Sequence, residues 1–287
     1  MSQVNANLVR ADRRALLLVG LALMAAVVIV FWREMRPEWK GVQARARSLV
    51  AARLGEARAA RLPAGFRQTW IPELQRVDRC VICHVGIEEG PDLAGLAHPA
   101  RSHPRPELLA AHPVERFGCT LCHGGQGSAT EKDAAHGEAP HWDEPLLSTK
   151  RAAAYGLTAA ELMEMRCNAC HRDQAQVEGM PLLNAAKALY GERKCAGCHG
   201  VKGVGGTEGP DLTFVGDLPA EQRHFPAGAT GPRTALAWHA AHIREPKALV
   251  PSSTMRQYRF DERQPLSLAL LVSSWRRLRL PPEWLPK

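Results

Sequence analysis

The sequence predicts a mainly α-helical protein with extensive loops. It comprises an N-terminal transmembrane helix, an irregular region built around paired cysteines, and a helical C-terminal domain. Three observations carry that prediction. Residues 15–32 form one uncharged apolar run. Four Cys-x-x-Cys pairs recur between residues 80 and 198, and the 21 prolines and 24 glycines argue for loops around them. Residues 184–287 alternate helix-forming stretches with Gly- and Pro-containing loops.

The apolar run comes first. Between Arg14 and Arg33 lie 18 uncharged residues, ALLLVGLALMAAVVIVFW. At the helical rise they span about 27 Å, near the hydrocarbon thickness of a bilayer, and Trp32 falls where an interfacial aromatic belongs. A cleaved signal has a shorter apolar core and a small-x-small site, whereas this run ends VVIVFW. It reads as an uncleaved single-pass anchor (residues 15–32) after a cytoplasmic N-terminus (residues 1–14). Arg10, Arg13 and Arg14 precede the span, but Arg33, Arg36, Lys40, Arg45 and Arg47 follow it, so charge asymmetry does not orient it. Residues 33–75 begin rich in Ala, Arg, Leu and Glu as far as Leu62, all good helix formers. They predict a helical stalk or a membrane-surface segment.

The cysteines carry the chemistry. All eight fall into four pairs, Cys80/Cys83, Cys119/Cys122, Cys167/Cys170 and Cys195/Cys198, each followed by a histidine: His84, His123, His171 and His199. With 12 histidines in 287 residues, chance would place one after all four pairs about three times in a million. The spacing suits covalent haem c: two thiols add to two porphyrin vinyl groups, and the next residue turns its imidazole onto the iron. A redox dithiol needs no such histidine, and a histidine against every second cysteine is poor tetrahedral spacing for zinc. Four covalently attached haem c groups are therefore expected. Such attachment implies a compartment outside the bacterial cytoplasm. That places the chain in the bacterial inner membrane, with its haem-bearing region on the periplasmic side.

Residues 76–183 read as a three-haem region. Units this small bury little apolar surface from protein alone, so the haems should form much of the core. The aromatic content of 6% agrees. His98 and His103 follow the first motif by 14 and 19 residues, and His136 and His141 follow the second by 13 and 18. This echo suggests a weak repeat supplying distal ligands, with His112 a fifth candidate. LTAAELMEMR before the third motif predicts a helix capped by Thr158, with Glu161 completing a capping box. Met180 is the nearest soft distal ligand there, with Met163 and Met165 as rivals.

Residues 184–287 resemble the class I, mitochondrial-type cytochrome c fold. The pieces are NAAKALYGER running into CAGCHG, then GVGGTEGPDLT, a middle helix around AWHAAHIREPKALVP, the loop PSSTM and a last helix LSLALLVSSWRRL. The resemblance implies that Pro210 orients His199 and that Met255 is the sixth iron ligand. His239 and His242 are rivals better suited to packing or propionate roles. Leu266, Leu270 and Leu271 are expected on one buried face of the last helix, with Trp275 one position away from the family's usual aromatic.

The upstream half resembles membrane-anchored multihaem subunits found with bacterial quinol-oxidising, cytochrome bc-like complexes, notably in RFGCTLCHGGQG. That implies cytochrome b or other quinol-oxidising subunits as partners, plus a soluble or membrane-bound electron acceptor. The expected function is electron transfer, with no catalytic residue of its own. The alternatives are a haem enzyme reducing nitrite or peroxide, and a structural haem-bearing subunit. The formal charge of +8 comes from scattered basic residues and omits haem propionates, so nucleic acid is not an expected partner.

Overall fold

The computed structural model describes residues 3–286 except 139–141, 143, 227–230 and 278–279, with side chains described from residue 13. Helices dominate, and among the described residues the strands are confined to one hairpin. The chain divides into two units, each with its own core.

Unit 1 comprises Met1–Thr69, Arg79–Pro113 and Ser128–Ala135. Helix α1 (Gln3–Glu34) has 32 residues and is about 48 Å long. Its apolar window is unburied on every side and is long and apolar enough to cross a membrane. Pro37 separates it from α2 (Glu38–Leu54), which stops at Gly55, a residue with φ of +88°. The spacing of Gln43, Ala46 and Val50 puts them on one face of α2, and all three are buried. Ala46 and Val50 pack with Ala59, Leu62, Val85, Leu93 and Ala100. The segment expected as a stalk or membrane-surface helix thus supplies one wall of a small core. The Gln43 amide is that wall's polar lock: it donates to Gly65 O (2.8 Å) and Ile82 O (3.1 Å) and accepts from Gly65 N (3.0 Å).

Unit 2 comprises Trp70–Asp78, Val114–Gly127 and His136–Lys287. Strands β1 (Thr69–Ile71) and β2 (Arg76–Asp78) form the hairpin. Four longer helices follow: α3 (Ala159–Cys167), α4 (Pro181–Glu192), α5 (Ala235–Arg244) and α6 (Gln264–Ser273). Both halves of the Thr158–Glu161 capping box are present at α3. The buried Glu164 carboxylate accepts from Leu183 N (2.8 Å), capping α4 behind Pro181, a residue that needs no N–H there.

Helix α6 departs from the one-sided pattern expected of it. Besides Leu270 and Leu271 it buries Pro265, Ser267, Leu268, Ala269 and Val272, because α4 and α5 both pack on it. Leu189 of α4, Ile243 of α5, and Leu268 and Ala269 of α6 share one cluster. Trp275 lies just past the helix end, its ring edge-on to Tyr190 of α4 (centroids 5.2 Å apart, 86°). The middle helix is also shorter than expected. It ends at Arg244, and Pro246 opens a separate turn, Pro246–Leu249. Proline has no N–H to continue the ladder and crowds the preceding turn.

The third motif belongs with the C-terminal helices. Asn168, between its cysteines, is fully buried and donates to Ser274 Oγ at 2.7 Å. Lys187 of α4 reaches His171 O (2.5 Å) and Gln174 O (2.6 Å).

Candidate haem-attachment sites

All four motifs adopt one backbone shape. In each, the histidine N–H donates to the carbonyl of the first cysteine: His84 to Cys80 (2.9 Å), His123 to Cys119 (3.0 Å), His171 to Cys167 (2.9 Å) and His199 to Cys195 (3.1 Å). The second cysteine of each pair bonds to that same carbonyl at 3.2–3.3 Å. Both cysteines and the histidine of each motif thus lie on one helical turn, and all eight cysteines are free thiols. Four separate sequences converge on this turn. The second motif is anchored by Asp78, whose buried Oδ2 accepts from Cys119 N (2.7 Å) and Thr120 N (2.8 Å). That is N-terminal capping supplied from a strand.

Three of the four imidazoles have Nδ1 engaged. A metal-binding histidine has its second ring nitrogen fixed by a hydrogen bond, which sets the tautomer and leaves the other nitrogen for the metal. His199 Nδ1 donates to Pro210 O (2.8 Å), His171 Nδ1 to Gln174 Oε1 (2.5 Å), and His84 Nδ1 meets His98 Nε2 (3.1 Å). At His199 the fit extends to Gly209: a Cβ there would lie 2.5 Å from His199 Cε1. Only glycine lets the chain pass against the ring before Pro210 receives its hydrogen bond.

The second, third and fourth motifs share unit 2. The turn Thr120–His123 packs against α3, which carries Cys167. Burial, then the neighbouring Cys122 and Glu164, pushes the Cys167 thiol up to about 12. Glu144 joins the same two motifs. Its carbonyl accepts from Gly125 N (2.7 Å), just past His123, and its carboxylate faces Arg76 (3.2 Å), Arg166 (3.5 Å) and Arg276 (3.8 Å). Burial opposes its charge, but Arg166 and Arg76 prevail and hold the carboxyl below its ordinary value. The third and fourth motifs are tied by Arg172 donating to Thr213 O (3.0 Å) and by Lys202 pairing with Asp173 (2.8 Å).

The cytochrome c family model matches residues 183–266, which span α4, the fourth motif, Pro210, Met255 and the start of α6. The C-terminal region is a cytochrome c domain. Cytochrome c oxidase subunit 2 of Alkalihalophilus pseudofirmus is 30% identical over 129 residues, covering 40% of this chain and 35% of that protein. No solved structure matches the chain.

The cytochrome c domain binds haem c covalently, and bound haem supplies an iron that alternates between ferric and ferrous states. The residues present fit such a group. Among the described residues, Tyr190 Oη, Arg193 Nε, Arg223 Nε and His242 Nδ1 are buried without a hydrogen-bond partner. Buried polar atoms ordinarily have partners, and the tyrosine and arginines are donors of the kind haem propionates take. Burial, then Cys195, pushes the Tyr190 phenol up to about 12, which keeps it a donor. Met255 packs beside Leu189, Ile243 and Leu268, with its N–H on Ser253 Oγ (3.2 Å). His239 is buried and accepts from Arg223 at Nε2 (3.1 Å). Burial, then Arg223 and His242, pushes it down to about 3. His242 stacks on Trp238 with ring centroids 4.8 Å apart.

The remaining distal candidates are spread over both units. His103 Nδ1 accepts from Arg105 N (3.1 Å), and His112 Nδ1 donates to Leu108 O (3.0 Å), both in unit 1. In unit 2, Leu146 N bonds to His136 O (3.0 Å) and Leu147 N to His123 O (2.9 Å), so one dipeptide links the two histidines. Met180 is buried with Sδ 3.6 Å from Cys167 Sγ, and Met165 is buried on α3. His141 lies outside the described residues. Sequence reasoning missed Gln43, Asp78, Glu144 and Gln174. Only Gln174 had a local signal, its place three residues after His171.

Proposed function

We propose that the chain is a membrane-anchored electron-transfer subunit carrying four covalent haem c groups. In this reading it relays electrons from a quinol-oxidising complex of the bacterial inner membrane to a periplasmic or downstream acceptor. The observation that carries it is the repeated turn: four motifs with the same backbone hydrogen bonds, three of whose histidines have Nδ1 engaged. The shared framework of the second, third and fourth motifs supports transfer among them. Asp78, Asn168, Glu144, Arg172 and Lys202 hold the three motifs in one unit, so little rearrangement of the protein accompanies a change of charge. The apolar helix α1 supports membrane attachment, with the haem-bearing units on the periplasmic side. The likeness to an oxidase subunit supports a place in a respiratory chain. Met255 ligation would make the C-terminal site the high-potential exit, because a thioether favours ferrous iron.

Spectroelectrochemical titration of the haem-loaded protein, repeated with nitrite and with hydrogen peroxide, tests this. The expected result is four one-electron, low-spin couples and no turnover of either substrate. Turnover that tracks one high-spin haem would replace the relay with an enzyme.

A further inference from the structure

We propose that His98 is the positioning partner of His84, not an iron ligand, and that it lowers the reduction potential of the haem attached at Cys80 and Cys83. This rests on the four-haem reading. The two imidazoles meet directly: His98 Nε2 lies 3.1 Å from His84 Nδ1, with ring centroids 4.5 Å apart at 66°. Nδ1 and Nε2 sit on opposite sides of the His84 ring. A partner on Nδ1 therefore stands away from the nitrogen that binds iron, and its own Nε2 is occupied by the contact. The spacing that made His98 resemble a returning distal ligand instead brings it back behind the proximal one.

The local framework holds it there. Gly86 N donates to Pro99 O (3.2 Å), and His103 N donates to Ile87 O (3.1 Å). A Cβ on Gly86 would lie 1.8 Å from Ala100 O, so glycine is what lets the turn carrying His98 close over the motif. His98 itself is exposed, but Pro99 and Ala100 beside it are fully buried, with Ala100 in the same cluster as Val85.

The acceptor decides the effect. His171 and His199 donate to amide oxygens, those of Gln174 and Pro210. An imidazole nitrogen is a stronger base than an amide oxygen. It pulls harder on the Nδ1 hydrogen and makes His84 the more electron-rich ligand, which favours ferric iron. In the proposed arrangement His84 Nδ1 donates and His98 Nε2 accepts, and the hydrogen is shared along that bond without being transferred. The first site then sits at the low-potential, electron-entry end of the relay.

The test uses the full-length haem-loaded protein with His98→Phe and His98→Gln. Peptide mapping first locates haem on Cys80 and Cys83, and redox titration with electron paramagnetic resonance then reads the first couple and its spin state. In His98→Phe that couple should shift about tenfold toward the ferrous form, about 59 mV for one electron, and remain low-spin. His98→Gln restores an amide acceptor and should fall between the two; it also keeps the test open if His98→Phe loads poorly. An unchanged potential, or conversion to high-spin, would overturn the assignment, the second by showing His98 to be the ligand itself. Absence of haem from Cys80 and Cys83 in the parent protein would overturn it together with the four-haem reading, whereas the other two outcomes leave that reading standing.

Discussion

Replacing Gly209 with alanine tests how the cytochrome c domain holds its proximal histidine. The added Cβ would lie 2.5 Å from His199 Cε1, 2.7 Å from Nδ1 and 3.1 Å from Nε2. Carbon atoms prefer about 3.5–4.0 Å, so the overlap is about 1 Å. A flexible side chain would swing aside, but this ring is held at Nδ1 by Pro210 O (2.8 Å), and in the proposed haem-loaded protein iron would hold it at its other nitrogen. The strain therefore stays in the fold, and overpacking of this kind costs about 1–3 kcal/mol. Gly191 in α4 is the control, because a Cβ there meets nothing within 4 Å. Alanine at that position should be neutral or stabilising by up to about 1 kcal/mol. Guanidinium titrations of both haem-loaded variants, followed by Soret absorption, measure the difference. Equal stability of the two variants would mean that Gly209 does not cradle His199.

Three further outcomes follow from the same geometry. Gln43→Ala removes three hydrogen bonds and strands their backbone partners, costing about 2–4 kcal/mol of local stability; faster amide exchange along α2 would show it. His239 stays neutral in the fold down to about pH 3, whereas the unfolded side chain protonates near 6.5. The unfolded state thus gains protons first, and stability should fall by up to about 1.4 kcal/mol per unit as pH drops below 6.5. His239→Gln should flatten that slope in denaturant titrations. Met255→Ala should lower the reduction potential of the C-terminal haem, because a thioether ligand favours ferrous iron; an unchanged potential in redox titration would point to another ligand.

What was legible in the sequence was local. The uncharged run before Arg33 reads directly as α1. The Thr158–Glu161 box needs only four residues, and the Cys-x-x-Cys-His turn only five. Even the break before Pro246 rests on one residue type. The rest depends on partners that sequence spacing does not reveal. Gln43 bonds across 22 and 39 residues, Glu144 pairs with Arg76 across 68, and Asn168 reaches Ser274 across 106. These contacts join the third motif to the C-terminal helices and set α2 against a small core. His98 shows the other limit. Counting residues from His84 returns it to the right place in the chain, but only the ring geometry shows which nitrogen it meets.

The relay stands or falls on the number and position of covalent haems. Protease digestion of the purified holoprotein, followed by mass spectrometry of haem-bearing peptides, measures both. Four modified peptides are expected, containing Cys80/Cys83, Cys119/Cys122, Cys167/Cys170 and Cys195/Cys198. Haem on the Cys195/Cys198 peptide alone would contradict the relay and leave a single-haem cytochrome c domain on an anchored scaffold.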